Sequence, residues 1–198
     1  VGRGDIERSM IVEDYKGVRC YGENGTRYPS VHAVLNLLMP NDPAWMDDVA
    51  LETGRECHAV MAAYLLGKPH PCYGEVEFRT DAAKGWVNKN GIHIFKHFVE
   101  SPCISKYGFA GTPDAGLKLI GDKAVLIDWK FAEAVTLANH IQVETAYTRF
   151  VEYKGFQPMI VQVKKSGDVI VHKLKVNHHH WSAFLSATNV LKWRLAHV

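Results

Sequence analysis

From Val31 onward apolar residues recur at helical spacing, with Val31, Val34, Leu35 and Leu38 on one stripe. Ser30 stands at the N-cap, where its hydroxyl can satisfy a first-turn amide, and Pro40, Asp42 and Pro43 end the helix. Val49, Ala50, Ala59, Val60, Ala63 and Tyr64 repeat the period and predict a second helix from about Trp45 to Leu66, stopped by Gly67-Lys68-Pro69. Residues 71–78 read as a connecting strand or loop. Asp81 then caps a predicted helix over 82–97 that carries Trp86, Ile92, Ile94 and Phe95, with Gly91 weakening its centre. Beyond His97 the pattern changes. Residues 98–104, 109–120 and 124–130 read as strands, the last two joined by the hairpin signal Gly121-Asp122. A helix over 137–153, strands over 159–164 and 169–176, and a helix over 178–195 complete the chain. Residues 1–27, Gly-rich and charged, read as a hairpin or an arm.

This order predicts an α/β fold in a single domain, 1–198. A mixed central β-sheet flanked by helices fills 81–176. A helical N-terminal subregion covers 28–70, and a C-terminal helix covers 178–195. The composition, 47% hydrophobic and 22% charged, is that of a chain with a packed core. A net charge of +2 excludes a partner held by bulk charge alone, so binding to nucleic acid requires positive groups gathered in one groove. The longest apolar run, Ala59 to Leu66, is too short to span a bilayer, and Val1 to Met10 is too polar for a secretory signal. Cys20, Cys57, Cys72 and Cys103 are scattered without a CxxC pair. That spacing argues against a cysteine-built zinc site and for a reducing compartment.

The chemistry-bearing stretch runs from Glu100 to Lys130. It contains Gly111-Thr112-Pro113-Asp114 and then Asp128-Trp129-Lys130. Strand alternation puts Val125, Ile127 and Trp129 on one face and Asp128 and Lys130 on the other. With Asp114 and Glu100 on the two preceding strands, three carboxylates can converge on one point. Carboxylates that close repel one another unless a hard cation lies between them, and oxygen donors favour Mg²⁺ or Mn²⁺. A lysine alongside can orient water or offset charge growing on a phosphate. Any one of these residues alone reads as ordinary surface charge; the ordered set reads as equipment for phosphodiester hydrolysis.

The run Glu100, Gly111-Thr112-Pro113-Asp114, Asp128-Trp129-Lys130, Gln142 and Tyr147 resembles the PD-(D/E)XK nuclease superfamily, nearest its RecB-like, phage-type exonuclease branch. Tyr28-Pro29-Ser30 and Gly54-Arg55-Glu56-Cys57-His58 are similar to that branch's N-terminal part, so the likeness spans 28–153. The resemblance implies a restriction-endonuclease-like core. It implies Glu100, Asp114 and Asp128 as metal ligands, joined by the Trp129 backbone carbonyl and by His58, and Lys130 as the catalytic lysine. Gln142 and Tyr147 would position the nucleic acid, with Thr112 and Arg149 as further contacts. The cofactor implied is Mg²⁺ or Mn²⁺. The absence of cysteine after Cys103 argues against the iron–sulfur subtype. Two departures stand out. Phe131 replaces the family's Ser or Thr after the lysine. Gln142 and Tyr147 are five apart rather than four, about 500° of α-helix, which puts them on different faces.

Arg149, Lys154, Lys164, Lys165, Lys173 and Lys175, with Lys84, Lys89 and Lys96, are candidates for a strand-binding channel, and Trp45 and Tyr64 for base stacking. The expected function is a metal-dependent deoxyribonuclease, an exonuclease acting on DNA ends or single strands in phage or cellular recombination, replication or repair. A structure- or site-specific endonuclease shares the same core. A non-catalytic DNA-binding module would be expected to have lost part of the acidic set or Lys130, and none is lost. The expected setting is the cytoplasm of a bacterial or phage-infected cell, with mitochondria the other compartment the resemblance allows.

Overall fold

The computed structural model describes residues 10–40, 48–121 and 124–197. Trp45, the predicted breakers Asp42 and Pro43, and Asp122 of the predicted hairpin turn lie outside them, as do residues 1–9 of the hairpin or arm. Strands β1 (Ile11–Tyr15), β2 (Val18–Glu23) and β3 (Thr26–Pro29) form an antiparallel meander. Its tight turns, Lys16-Gly17 and Asn24-Gly25, have positive φ at both residues. Along β2, Val18 and Cys20 enter the core while Arg19 and Tyr21 face the other way. The described part of this segment is therefore a packed small sheet and not an arm.

Helix α1 (Val31–Leu38) starts as the sequence predicts, with Ser30 Oγ accepting from the Ala33 amide at 3.0 Å. Helix α2 (Asp48–Leu66) follows, then α3 (Gly74–Asn90). The predicted helix over 82–97 is displaced towards the N-terminus. Asp81 is inside α3, ion-paired with Lys84 at 2.9 Å, and Glu75 and Glu77 occupy the first turn, where negative charge suits the helix dipole. Gly91 ends the helix in an extended conformation, and β4 (Gly91–Ile94) takes over.

The predicted strand over 98–104 shrinks to β5 (Cys103–Ile104), which pairs with β6 (Ala110–Gly111). The predicted strand over 109–120 is cut by Thr112-Pro113-Asp114 and resumes as β7 (Ala115–Leu119), because Pro113 has no amide for a ladder. Strands β8 (Ala124–Lys130), β9 (Gln157–Val163) and β10 (Val169–Lys173) complete a five-stranded sheet of order β10-β9-β8-β7-β4. Only β8 and β9 are parallel, and the crossover between them carries α4 (Leu137–Ile141). The last helix is α5 (His178–His197). The fold is thus α/β, a mixed sheet flanked by helices. Among the described residues no helix is long and apolar enough to cross a membrane.

Two cores lie on opposite faces of the sheet. One gathers Val34, Leu126, Phe150, Ile160 and Phe184 beneath α1 and α5. The other gathers Met61, Val87, Ile127, Trp129 and Val161 beneath α2 and α3. Strand β8 is buried on both faces, so its polar residues at the C-terminal end are enclosed and not solvated. Gly111 sits where chain segments meet. An added Cβ would lie 3.0 Å from Val31 Cγ2 and 3.2 Å from Tyr147 Cε1. Gly111→Ala is expected to cost about 1–3 kcal/mol through overpacking. That should lower the thermal midpoint by about 2–4 °C per kcal/mol in a chain of this size. A melt with an unchanged midpoint would show that this junction has slack.

Candidate active site

Where β8 ends, the walls from the two sheet faces leave a cleft of about 1200 Å³. His58, from α2, Glu100, from the segment between β4 and β5, and Asp114, from the segment between β6 and β7, meet in it. One ligand-type atom from each lies within 4.8 Å of the others. Asp114 immediately precedes β7, one step past the last ladder pair, Ala115–Ile127. Its Oδ2 accepts the Trp129 amide at 2.6 Å and faces His58 Nδ1 at 3.2 Å. The His58 ring stands edge-on to Phe131, with centroids 5.6 Å apart. Asp128, on β8, is 1% exposed; its Oδ2 pairs with Lys130 Nζ at 2.5 Å.

Glu100 is not on a strand, as the sequence pattern had it. It follows a 3₁₀ turn over Lys96–Phe98 and adopts φ 47°, a left-handed conformation unusual for a side chain of this kind. The Glu100 amide donates to the Asp114 carbonyl at 3.0 Å, which fixes the bend beside the cluster. Strain of this sort is retained where a side chain must be aimed at a site. Glu100 is exposed along the cleft, whereas Asp114 and Asp128 are buried.

Charge is crowded here. Loss of water, and then the Asp114 charge, push the Glu100 carboxyl up to about 8. Burial pushes Asp128 up to about 6 against the pull of Lys130. Burial acts the same way on Asp114, but His58, Lys130 and the Trp129 amide together hold it below the usual carboxylate range. Burial is the largest single influence on His58 and lowers it, but the charge and hydrogen bond of Asp114, with the Asp128 charge, leave it raised above its ordinary value. Lys130 likewise ends above its ordinary value, burial being outweighed by Asp128 and Asp114. Three carboxylates thus face one ammonium and one imidazole. An imidazole among carboxylates is a donor set that fits Mn²⁺ or Mg²⁺, and a divalent cation would relieve the repulsion that raises Glu100.

The predicted helix over 137–153 changes character at the site. After α4 the chain forms a π-helical turn over Gln142–Ala146, then 3₁₀ turns over Tyr147–Arg149 and Val151–Tyr153. The Tyr147 amide bonds to the Gln142 carbonyl. The wider turn stacks residues five apart, so Gln142 and Tyr147 share a face after all, and the expectation from α-helical geometry is overturned. Gln142 Nε2 donates to Tyr147 Oη at 2.6 Å and to Asp128 Oδ1 at 3.2 Å, while its Oε1 faces Lys130 Nζ at 3.5 Å. Tyr147 is buried, and its hydroxyl donates to the Thr112 carbonyl at 3.3 Å. Thr112 Oγ1 bonds Tyr21 Oη at 2.9 Å, which ties the small N-terminal sheet to the site.

Glu100, Thr112, Asp114, Lys130, Gln142, Tyr147 and His58 all line the cleft. Trp129 buries its ring against Trp86 and reaches the cluster through its backbone. Arg149 does not join them: its guanidinium stacks over Trp181, 4.7 Å from the ring centroid. Among the lysines put forward for a channel, Lys165 lines the cleft, whereas Lys84 is engaged with Asp81. Tyr64 packs on the second core, its hydroxyl bonded to Asn88. His180, in the first turn of α5, pairs with buried Glu144. Sequence reasoning missed the basic groups of the walls: Arg19, His32, Arg55 and Arg79. For Arg19 a signal existed, since alternation with Val18 and Cys20 already turns it away from the core.

No protein-family model matches the chain, and no curated protein matches it, so the residues of the cleft carry the functional reading.

Proposed function

We propose that this protein is a metal-dependent deoxyribonuclease of the PD-(D/E)XK type, with a restriction-endonuclease-like core, that hydrolyses DNA phosphodiester bonds at ends or in single strands. The observation that carries the reading is the meeting of His58, Glu100 and Asp114 in one cleft beside Lys130, which the buried Asp128 holds from behind. His58, Glu100, Asp114 and Asp128, with the Trp129 carbonyl, would hold Mg²⁺ or Mn²⁺. The ion would supply a Lewis acid for a phosphoryl oxygen and would acidify water.

The remaining work falls to the chain itself. The Trp129 amide and His58 fix the Asp114 carboxylate. Asp128 and Gln142 hold the Lys130 ammonium, which can orient the attacking water or offset charge developing on the phosphate. Tyr147 acts from behind by holding the Gln142 amide, so its part is positioning. Phe131 supports His58 in place of a hydroxyl that would touch phosphate.

The test is incubation with end-labelled linear and covalently closed circular single-stranded DNA. Mn²⁺ or Mg²⁺ should support hydrolysis of the linear strand and EDTA should abolish it, with circles resistant. Full activity in EDTA would sink the mechanism, and efficient cutting of circles would move the assignment to an endonuclease. His58→Ala should weaken Mn²⁺ binding by more than the roughly 10–100-fold typical of outer-shell losses. Its far-ultraviolet circular dichroism should be unchanged. Wild-type metal dependence in that variant would make His58 a packing residue.

A further inference from the structure

One wall of the cleft presents two nitrogen-bearing side chains that no role described so far uses. Arg19 faces away from the core on β2. Its cross-strand neighbour is Asp14, whose Oδ1 accepts the Gly17 amide at 3.0 Å and which does not line the cleft. The Arg19 carbonyl accepts the Ser30 amide at 2.9 Å, which stitches the start of α1 to β2 and brings His32 next to Arg19. Both residues are exposed and both line the cleft. Lys130 lines the same cleft, and loss of water, then the positive charges of Arg19 and Lys130, hold the His32 imidazole below its ordinary value. Among the described residues this wall brings positive charge and N–H donors to the cleft and, unlike the cleft floor, no carboxylate.

Resting on the nuclease reading, we infer that Arg19 and His32 form a second phosphate subsite, which grips the phosphodiester next to the one held at the Lys130 centre. A guanidinium suits a phosphate because its N–H groups match two oxygens at once. A neutral imidazole adds a single donor. A strand crossing the cleft would then be held at two successive phosphates, so the preferred substrate is an oligonucleotide and not a mononucleotide ester.

The experiment compares two substrates that differ in this respect. Binding of a fluorescent single-stranded oligonucleotide is followed by anisotropy in EDTA across a salt series. Hydrolysis of thymidine 5′-p-nitrophenyl phosphate, which has no neighbouring phosphate, is followed in Mn²⁺. Arg19→Ala should weaken oligonucleotide binding about tenfold and flatten the log K against log salt slope by about 0.7, the loss of one single-strand phosphate contact. Arg19→Lys should restore the slope but only part of the affinity. His32→Ala should weaken binding with little change of slope. All three should hydrolyse the small ester at the wild-type rate, which also shows that they are folded. Wild-type affinity and slope in Arg19→Ala would overturn the subsite while leaving the nuclease reading in place. So would an equal loss of ester hydrolysis, because Arg19 would then serve the scissile phosphate. A wild-type protein that neither binds the oligonucleotide nor cleaves the ester would overturn both.

Discussion

Lys130→Ala is expected to hydrolyse single-stranded DNA at least about 10²-fold more slowly than the wild type, the usual loss for a preorganised electrostatic group. Its affinity for the strand and the salt dependence of binding should stay nearly unchanged. The asymmetry follows from where the ammonium lies. Lys130 is held on Asp128 at 2.5 Å and is 17% exposed, so the surroundings have already fixed it before a substrate arrives. Charge grows on the phosphate only as the reaction proceeds, so the interaction strengthens in the transition state and shows in turnover rather than in binding. Hydrolysis at a near wild-type rate would remove Lys130 from the chemistry and take with it most of the support for Asp128.

A second large effect concerns pH. Glu100 is pushed up to about 8 and His58 is raised above its ordinary value, so below neutrality both hold protons that an incoming cation must displace. Each proton released makes affinity rise about tenfold per pH unit while the group is still protonated. Mn²⁺ affinity should therefore climb steeply from pH 6 towards pH 8 and level off above it. Asp114 contributes nothing to the slope, because its carboxyl is held below the usual range and is already ionised. The check is a Mn²⁺ titration by isothermal calorimetry in two buffers of different ionisation enthalpy, which counts the protons released. A flat profile between pH 6 and pH 8 would mean that Glu100 and His58 do not bind the ion.

Much of this arrangement is legible in the sequence because it rests on short-range rules. The alternation Val125, Ile127, Trp129 against Asp128 and Lys130 places β8 and its two faces correctly, and the Ser30 cap marks the start of α1 to the residue. The joining of Asp114 to β8 follows from the hairpin signal at Gly121. Where expectation and structure part, a tertiary demand overrides a local one. Gly91 reads as a weak point in a helix, yet β4 begins there because β7 offers an edge to pair with. Glu100 reads as part of a strand, yet its backbone turns left-handed beside the cluster. Nothing in the periodicity of 137–153 announces a π-helical turn, since the apolar stripe reads the same through it. The extra width is visible only once Gln142 must reach Asp128 and Tyr147 together. Alternation turns Arg19 away from the core but does not say towards what, and His32 has no such pattern; only the junction of β2 and α1 brings both to the cleft.

The nuclease reading stands on one divalent cation held at the cluster of His58, Glu100 and Asp114, with Asp128 and the Trp129 carbonyl completing its shell, and a crystal soaked in Mn²⁺ tests it through the anomalous signal of the metal. One strong anomalous peak is expected on the cleft floor, about 2.0–2.3 Å from oxygens of the carboxylates and from a ring nitrogen of His58. A cleft that carries no peak while the three side chains keep their places, or a peak held only by residues outside this cluster, would contradict it.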